Sequence, residues 1–140
     1  MDIDKNKVVD NFIKNIKYRE KSIAVVGLGY VGLPLALTFA ENNFSVIGID
    51  IDHEKISKLN NKESYLRHIS SSKLSQFIDS KKLIPTSDFS CVESCIAIIL
   101  CVPTPLNKNR EPDLNYINST LNSLKRFFKK GQLLSLESTT

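Results

Sequence analysis

The 140-residue chain contains no tryptophan and has no long apolar run. A helix that spans a membrane needs roughly 20 consecutive apolar residues, and no stretch approaches that length. The first 20 residues alternate charged and apolar side chains, so they lack the continuous apolar core of a secretory signal. We therefore expect a cytoplasmic protein that does not contact membranes.

Cysteine is scarce as well, since only Cys91, Cys95 and Cys101 are present. An odd number of cysteines argues against a disulfide framework. Their spacing does not match the ligand pattern of a structural zinc site. Cys101 lies in the apolar run "CIAIILCV", where cysteine behaves as a small hydrophobic residue. We expect all three to be packing residues and expect no metal site.

Charge of one sign does not dominate, because the net charge is only +4. The lysines stand singly or in pairs, with no aromatic platform between them and no nucleic-acid-binding motif around them. A content of 41% hydrophobic and 24% charged residues is typical of a globular domain. The basic residues are therefore expected to form a solvated surface, and no nucleic-acid partner is expected.

What the chain does contain is an alternation of strand and helix patterns. Apolar residues from Val8 to Ile16 recur at helical spacing and predict an amphipathic helix over 5–18, which either packs on the domain or contacts a partner. Short apolar, β-branched runs then alternate with helical segments. The predicted strands are 22–28, 44–50, 95–102 and 132–138, with a brief extended piece at 83–88. The predicted helices that follow 5–18 are 31–42, 52–61, 70–82 and 113–130, the last capped by Asp113 and ended by Gly131.

This alternation predicts βαβ units and an α/β fold with a doubly wound parallel sheet. We expect a helical extension over residues 1–20 and a single domain over 21–140. Ligands of such sheets bind beyond the carboxyl ends of the strands. The functional residues are therefore expected in the segments "GLGYVG", "DIDHEK", "VPTP" and "ESTT", each of which follows a predicted strand.

Three of the five glycines form the pattern Gly27-x-Gly29-x-x-Gly32 between a predicted strand and a predicted helix. In a dinucleotide-binding Rossmann domain the first glycine permits the tight turn, the second lets a pyrophosphate approach the backbone, and the third lets the helix pack closely. The helix N-terminus then presents free N–H groups to the phosphates. Pro34 falls in the first turn of that helix, where its missing N–H has little use.

A carboxylate stands where this motif requires one. Asp50 follows Gly32 by 18 residues, close to the spacing expected for the acid that binds the adenosine ribose. A carboxylate there accepts hydrogen bonds from the 2′-hydroxyl and repels a 2′-phosphate, which favours NAD over NADP. Asp52 remains an alternative ribose ligand, with Asp50 then structural.

The segment "VPTP" ends the strongest predicted strand. Its two prolines fix the backbone and leave Thr104 as the polar group at the strand tip, where a hydroxyl could meet a ribose or a nicotinamide. A rigid turn without a ligand role is the other interpretation.

Together, "VVGLGYVGLPLA", "GIDIDHEKI", "CVPTP" with "REPDLNYI", and "LLSLESTT" resemble the UDP-glucose/GDP-mannose dehydrogenase family. The resemblance covers residues 22–140, and the tripeptide Gly29-Tyr30-Val31 and the paired prolines make it more specific than the glycine pattern alone. "REPDL" and "ESTT" are most similar to the branch that oxidises UDP-N-acetylglucosamine. The resemblance implies oxidation of a sugar C6 alcohol to a carboxylate in two NAD-dependent steps, in polysaccharide biosynthesis.

The resemblance also implies a role for individual residues. The pyrophosphate loop is matched by Gly27, Gly29, Tyr30, Val31 and Gly32. The ribose acid is matched by Asp50, and a basic residue on the adenosine side by Lys55. The loop beside the nicotinamide ribose is matched by Val102, Pro103 and Thr104. A pair near the nicotinamide is matched by Ser138 and Thr139, of which Thr139 is implied to help position the hydrolytic water.

The family's catalytic cysteine lies in a glycine-rich motif far downstream, and we expect none of the three cysteines here to replace it. A nucleophilic thiol needs a lowered pKa and access, and a buried strand offers neither. Glu137 stands where other branches have lysine and receives no role. His53 and His68 have no plausible serine or aspartate partner in the sequence; His68 is expected at the surface, and a place facing the active site is the alternative.

The expected protein is the NAD-binding domain of a nucleotide-sugar 6-dehydrogenase, without the family's substrate and central domains and inactive alone. Its full-length form is expected to act on a UDP-sugar and to form a homo-oligomer. The alternatives are a dehydrogenase of UDP-glucose or UDP-N-acetylmannosamine, and a stand-alone NAD-binding or regulatory module.

Overall fold

The computed structural model describes residues 2–137, with side chains from residue 4 onward. Five parallel strands form one sheet between two layers of helices. The strands are β1 (Ser22–Val26), β2 (Val46–Ile49), β3 (Leu83–Thr86), β4 (Cys95–Leu100) and β5 (Leu133–Leu136). The α-helices are α1 (Asp2–Tyr18), α2 (Gly32–Glu41), α3 (His53–Asn60), α4 (Ser71–Asp79) and α5 (Asn115–Leu124), and a 3₁₀ helix spans Phe89–Ser94.

The strand order β3-β2-β1-β4-β5 confirms the predicted doubly wound sheet. The chain moves outward from β1 to β3, crosses back, and continues from β4 on the other side. The change of direction lies between β1 and β4, which are hydrogen-bonded neighbours. In sheets of this type a crevice opens at that point, beyond the carboxyl ends of the strands.

Two apolar clusters sandwich the sheet. One packs α2, α3 and α4 against one face of the sheet, and the other packs the 3₁₀ helix and α5 against the opposite face. All six residues of β4 are buried, because this central strand is covered on both faces. None of the helices within residues 2–137 is long and apolar enough to cross a membrane.

The amphipathic helix α1 packs on the domain. Phe12 and Ile16 lie against the cluster that also holds α2. Just after the helix, the Arg19 guanidinium lies 4.6 Å from the ring centre of Phe44, and its Nε donates to the Asn42 carbonyl at 3.2 Å. Helix α1 is thus attached to the core along one face and just beyond its C-terminal end.

Helix α5 is shorter than predicted, since it ends at Leu124 and not near residue 130. The Phe127 N–H donates to the Leu124 carbonyl in a turn, and this turn brings Phe127 and Phe128 against the core. The sequence prediction was wrong here because Phe127 and Phe128 continue the helical pattern. At the other end of α5, the Asp113 carboxylate accepts from the Asn115 N–H at 2.9 Å. Asp113 lies one residue before Leu114, which is the N-cap residue of the helix.

Candidate cofactor-binding site

The three glycines of the turn after β1 have different surroundings. Gly27 has φ +94°, and a Cβ on it would lie 2.7 Å from the Cys101 carbonyl oxygen. A Cβ on Gly32 would lie 1.6 Å from the Gly27 carbonyl oxygen. A Cβ on Gly29 would have no neighbour within 4 Å. The fold therefore requires glycine at the first and third positions, whereas the second leaves the outer face of the loop open.

Helix α2 begins directly behind this loop. Val31 precedes its first residue and supplies no side-chain cap, and Pro34 lies in the first turn. The positive end of the helix dipole therefore faces the loop without a side-chain partner at its cap, which is the geometry that binds anions. Tyr30 is 81% exposed and Val31 48% exposed, so both lie on the outer side of the loop.

Asp50 follows β2, and its carboxylate is hydrogen-bonded to the glycine loop. Its Oδ2 accepts from the Leu28 N–H at 2.8 Å and its Oδ1 accepts from the Asp52 N–H at 2.9 Å. Both carboxylate oxygens retain a lone pair, since each can accept two hydrogen bonds. The bonds to two backbone amides fix the carboxylate's orientation beside the loop.

The neighbouring carboxylate of Asp52 has a different role. Its Oδ1 accepts from the backbone N–H groups of Glu54 and Lys55, at 3.0 and 3.3 Å, and so caps α3. Asp52 is exposed, whereas Asp50 lines the cleft described next. This placement favours Asp50 over Asp52 as the ribose ligand.

A cleft lies beyond the carboxyl ends of β1, β2 and β4. It brings together six of the residues predicted from the sequence, namely Gly27, Gly29, Asp50, Lys55, Val102 and Pro103. Thr104 follows on the same loop and is half-buried. The predicted residues Ser138 and Thr139 lie outside the residues that the structure describes.

Comparison with known proteins identifies the domain. The model of the NAD binding domain of the UDP-glucose/GDP-mannose dehydrogenase family matches residues 21–140. The chain belongs to this family. The match begins at the residue before β1, so it excludes α1 and includes every segment of the cleft.

The curated relatives are longer than this chain, which matches only part of each of them. A UDP-N-acetyl-D-mannosamine dehydrogenase of Methanococcus maripaludis is 35% identical over 132 residues, which cover 90% of this chain and 30% of the relative. A UDP-N-acetyl-D-glucosamine 6-dehydrogenase of Pseudomonas aeruginosa is 32% identical over 121 residues, which cover 86% of this chain and 28% of the relative. The chain thus spans less than a third of the length of the curated relatives it matches.

Solved structures agree with this placement. The UDP-D-ManNAc dehydrogenase of Pyrococcus horikoshii superposes with a TM-score of 0.78 at 34% identity, covering 84% of this chain and 28% of that chain. A GDP-mannose dehydrogenase from Pseudomonas aeruginosa, solved as a ternary complex, superposes with a TM-score of 0.77 at 28% identity, covering 84% of this chain and 28% of that chain. The parallel sheet described above is therefore the NAD-binding fold of this dehydrogenase family.

The family domain has a cleft wall that sequence reasoning missed. Helix α5 contributes four polar side chains to it: Tyr116, Ser119, Thr120 and Ser123. Their spacing of three, four and seven residues places them on one helix face, and this spacing was the signal that could have identified them. Ile51 and Phe89 add apolar surface to the same cleft.

Tyr65 is a further residue that the sequence patterns did not indicate. Its hydroxyl donates to the Leu28 carbonyl in the glycine loop, and Lys55 Nζ lies 5.8 Å from its ring centre. Burial raises the pKa of the Tyr65 hydroxyl above its ordinary value, and the Asp50 and Asp52 carboxylates raise it further. The phenol is therefore un-ionised up to a higher pH than an exposed tyrosine and is available as a hydrogen-bond donor. No local pattern indicates this contact, because it joins residues 37 positions apart.

Of the three cysteines, Cys95 is buried, whereas Cys91 and Cys101 are half-buried and Cys101 also lines the cleft. Burial raises the pKa of the Cys101 thiol to about 11, with a further contribution from the Glu137 carboxylate. Cys95 is buried, and burial also raises its pKa to about 11. The pKa of Cys91 is raised by burial and by the Asp88 carboxylate. A thiol with a raised pKa is a poor nucleophile at neutral pH, so none of the three is suited to covalent catalysis.

Within residues 2–137, no cluster of three or more histidine, cysteine, aspartate or glutamate side chains is arranged to hold a metal ion. The histidines, His53 at the start of α3 and His68 in the loop before α4, are both exposed. Neither is among the residues that line the cleft.

Proposed function

We propose that this domain binds NAD in the cleft beyond β1, β2 and β4, as the cofactor domain of a nucleotide-sugar 6-dehydrogenase. The observation that carries the proposal is the pairing of an open Gly29 with an oriented Asp50 carboxylate in one cleft. The pyrophosphate would lie over Gly29 and the N-terminus of α2. The adenosine ribose would reach the remaining lone pairs of Asp50.

The other predicted residues are assigned by their position around the same cleft. Lys55 lies in the cleft wall on the α3 side and is proposed to contact the adenosine half. Val102, Pro103 and Thr104 follow β4 and are proposed to lie beside the nicotinamide ribose. Tyr30 and Val31 are proposed to contribute their backbone to the phosphate loop. Ser138 and Thr139 remain predictions for the nicotinamide end.

NAD would supply the hydride acceptor, and the residues described here would bind and orient it. An oriented Asp50 accepts both ribose hydroxyls, and a carboxylate at this position repels the 2′-phosphate of NADP. The apolar and hydroxyl side chains around the cleft would exclude water from one side of the nucleotide. These functions need no nucleophile from this chain, which agrees with the raised pKa values of its cysteines.

For the substrate we propose a UDP-N-acetylhexosamine. The segments "REPDL" and "ESTT" favour UDP-N-acetylglucosamine, and one relative carries that substrate in its name. Relatives from Methanococcus, Pyrococcus and Escherichia coli are named for UDP-N-acetyl-D-mannosamine. A panel of UDP-sugars assayed with the protein at its full natural length would separate the two, and we expect oxidation of one N-acetylhexosamine nucleotide in preference to UDP-glucose. Homo-oligomer formation likewise remains a prediction for that protein.

Binding of NAD and NADP to the chain tests the proposal directly. We expect calorimetric titration to show binding of NAD and a weaker binding of NADP. Asp50→Asn removes the charge, so we expect it to lower the affinity for NAD about tenfold or more. It should also reduce the ratio of NAD affinity to NADP affinity.

Asp52→Asn is the matched control, because it removes a neighbouring charge and keeps a residue that caps helices well. It should leave the ratio of NAD to NADP affinity close to that of the wild type. If Asp52→Asn changes the ratio and Asp50→Asn does not, the ribose ligand is Asp52 and the assignment of Asp50 is wrong.

A further inference from the structure

Two consecutive peptide groups of the glycine loop are each held by a side chain from elsewhere in the fold. Asp50 accepts from the Leu28 N–H, which belongs to the peptide between Gly27 and Leu28. Tyr65 donates to the Leu28 carbonyl, which belongs to the peptide between Leu28 and Gly29. The Leu28 side chain is fully buried, so this residue is fixed at its amide, its carbonyl and its side chain.

The second of these peptide groups determines where the Gly29 N–H points. A trans peptide is planar, and its carbonyl and N–H point in opposite directions. By holding the Leu28 carbonyl, Tyr65 therefore directs the Gly29 N–H away from itself. Gly29 lies in the cleft wall and Tyr65 does not, so the amide is turned away from the α3–α4 loop.

Without such a contact the loop would have considerable freedom. Glycine on both sides of Leu28 permits many backbone conformations, and an ordered loop must overcome that entropy. An un-ionised phenol donates this hydrogen bond, and the raised pKa of Tyr65 extends to higher pH the range in which the phenol keeps its proton. The ring of the same tyrosine lies beneath Lys55, at a distance that allows a cation–π contact.

We propose that Tyr65 is a positioning residue of the cofactor site, which orients the Gly29 N–H toward the pyrophosphate through the Leu28 carbonyl and supports Lys55 with its ring. This inference rests on the proposed binding of NAD. The loop between α3 and α4 would thus contribute to cofactor affinity, although it lies far along the chain from the glycine motif.

The experiment compares three ligands that share an adenosine half: NAD, ADP and adenosine. Tyr65→Phe removes the hydroxyl and keeps the ring. We expect this variant to lower the affinities for NAD and for ADP by the same factor, about three- to tenfold, because both ligands contain the pyrophosphate. Adenosine affinity should stay at the wild-type value.

The matched control is Ser64→Ala, in the same loop. Ser64 donates its hydroxyl proton to the Leu66 carbonyl at 2.9 Å and accepts from the Leu66 N–H at 3.3 Å. Both of these hydrogen bonds lie within the α3–α4 loop and neither involves the glycine loop. Ser64→Ala should therefore lower the stability of the loop without changing the affinity for NAD or ADP. Tyr65→Leu removes the aromatic ring as well. We expect this variant to lower the affinity for adenosine too, since Lys55 loses its contact with the ring.

Each failure has a distinct result. If Tyr65→Phe weakens all three ligands equally, or if Ser64→Ala reproduces its effect, Tyr65 is merely structural and the inference is wrong. If wild-type NAD binding is observed and Tyr65→Phe leaves it unchanged, only this inference is overturned. If the wild type binds neither NAD nor ADP, the proposed function fails and this inference fails with it.

A measurement on the wild type covers the case in which Tyr65→Phe does not fold. The Tyr65 hydroxyl proton should exchange slowly with water and show a nuclear Overhauser contact to the Leu28–Gly29 peptide, before and after NAD is added. Rapid exchange of that proton in both states would contradict the positioning role.

Discussion

At the scale of single residues, the glycine loop separates positions that the fold needs from positions that a ligand needs. Gly27 and Gly32 are required by close contacts within the protein, since a Cβ on either would overlap a backbone oxygen. Gly29 has no such contact. Sequence spacing treats the three glycines as one motif, and only the three-dimensional surroundings separate their roles.

This difference gives a paired prediction. Gly32→Ala should lower the free energy of unfolding by about 3 kcal/mol or more, because its Cβ forces α2 away from the loop. Gly29→Ala should change it by less than about 0.5 kcal/mol and yet weaken NAD about tenfold, because its Cβ occupies the open face. Urea unfolding and calorimetric titration measure the two effects. A Gly29→Ala variant with wild-type NAD affinity would show that the pyrophosphate does not approach this position.

The buried thiol of Cys95 predicts a pH dependence of stability. Burial and then the neighbouring Cys91 raise its pKa from 9.0 to about 11. Because the folded pKa lies above the unfolded value, this contribution to stability is complete below pH 9 and is lost as the pH rises through the folded pKa. The free energy of unfolding, measured in urea, should therefore decrease between about pH 8 and about pH 10.5. This decrease should be smaller for Cys95→Ala than for the wild type. Equal decreases in the two proteins would contradict this account of Cys95.

At the scale of helices and strands, periodicity predicted the existence and order of the elements well. β1 and β4 were found because continuous apolar, β-branched runs have few other interpretations, and α4 because Ser70 caps an amphipathic stretch. The end of α5 was missed for a physical reason. Phe127 and Phe128 are drawn into the core by a turn, and tertiary packing of this kind leaves no signal in helical spacing.

Helix α1 illustrates a question that the sequence left open and the structure answers. Its apolar residues divide between a face on the core, which includes Phe12, and an exposed face, which includes Ile13 at 56% exposure. Both faces show the same periodicity in the sequence. Only the packing against the sheet distinguishes them.

We therefore predict a difference between two truncations in α1. Phe12→Ala should lower the free energy of unfolding by roughly 2 kcal/mol, since the ring is partly buried on the core. Ile13→Ala, as the control, should lower it by about 0.5 kcal/mol or less. Equal effects in urea unfolding would mean that α1 does not rest on the domain in solution.

At the scale of the whole molecule, the position of the cleft was predictable, but the part of its wall that α5 forms was not. A parallel sheet brings the carboxyl ends of its strands to one edge, so residues after β1, β2 and β4 had to meet. The polar face of α5 lines the cleft, and Tyr65 contacts the glycine loop at the Leu28 carbonyl, 37 positions away along the chain. Such contacts depend on helix placement and loop course, which local patterns do not encode.

The most direct test of the central claim is a crystal structure of the chain with NAD bound. The account predicts a hydroxyl of the adenosine ribose within about 2.6–3.2 Å of an Asp50 carboxylate oxygen, and the pyrophosphate over Gly29 at the start of α2. A ribose bound to Asp52, or a nucleotide bound away from the glycine loop, would contradict it.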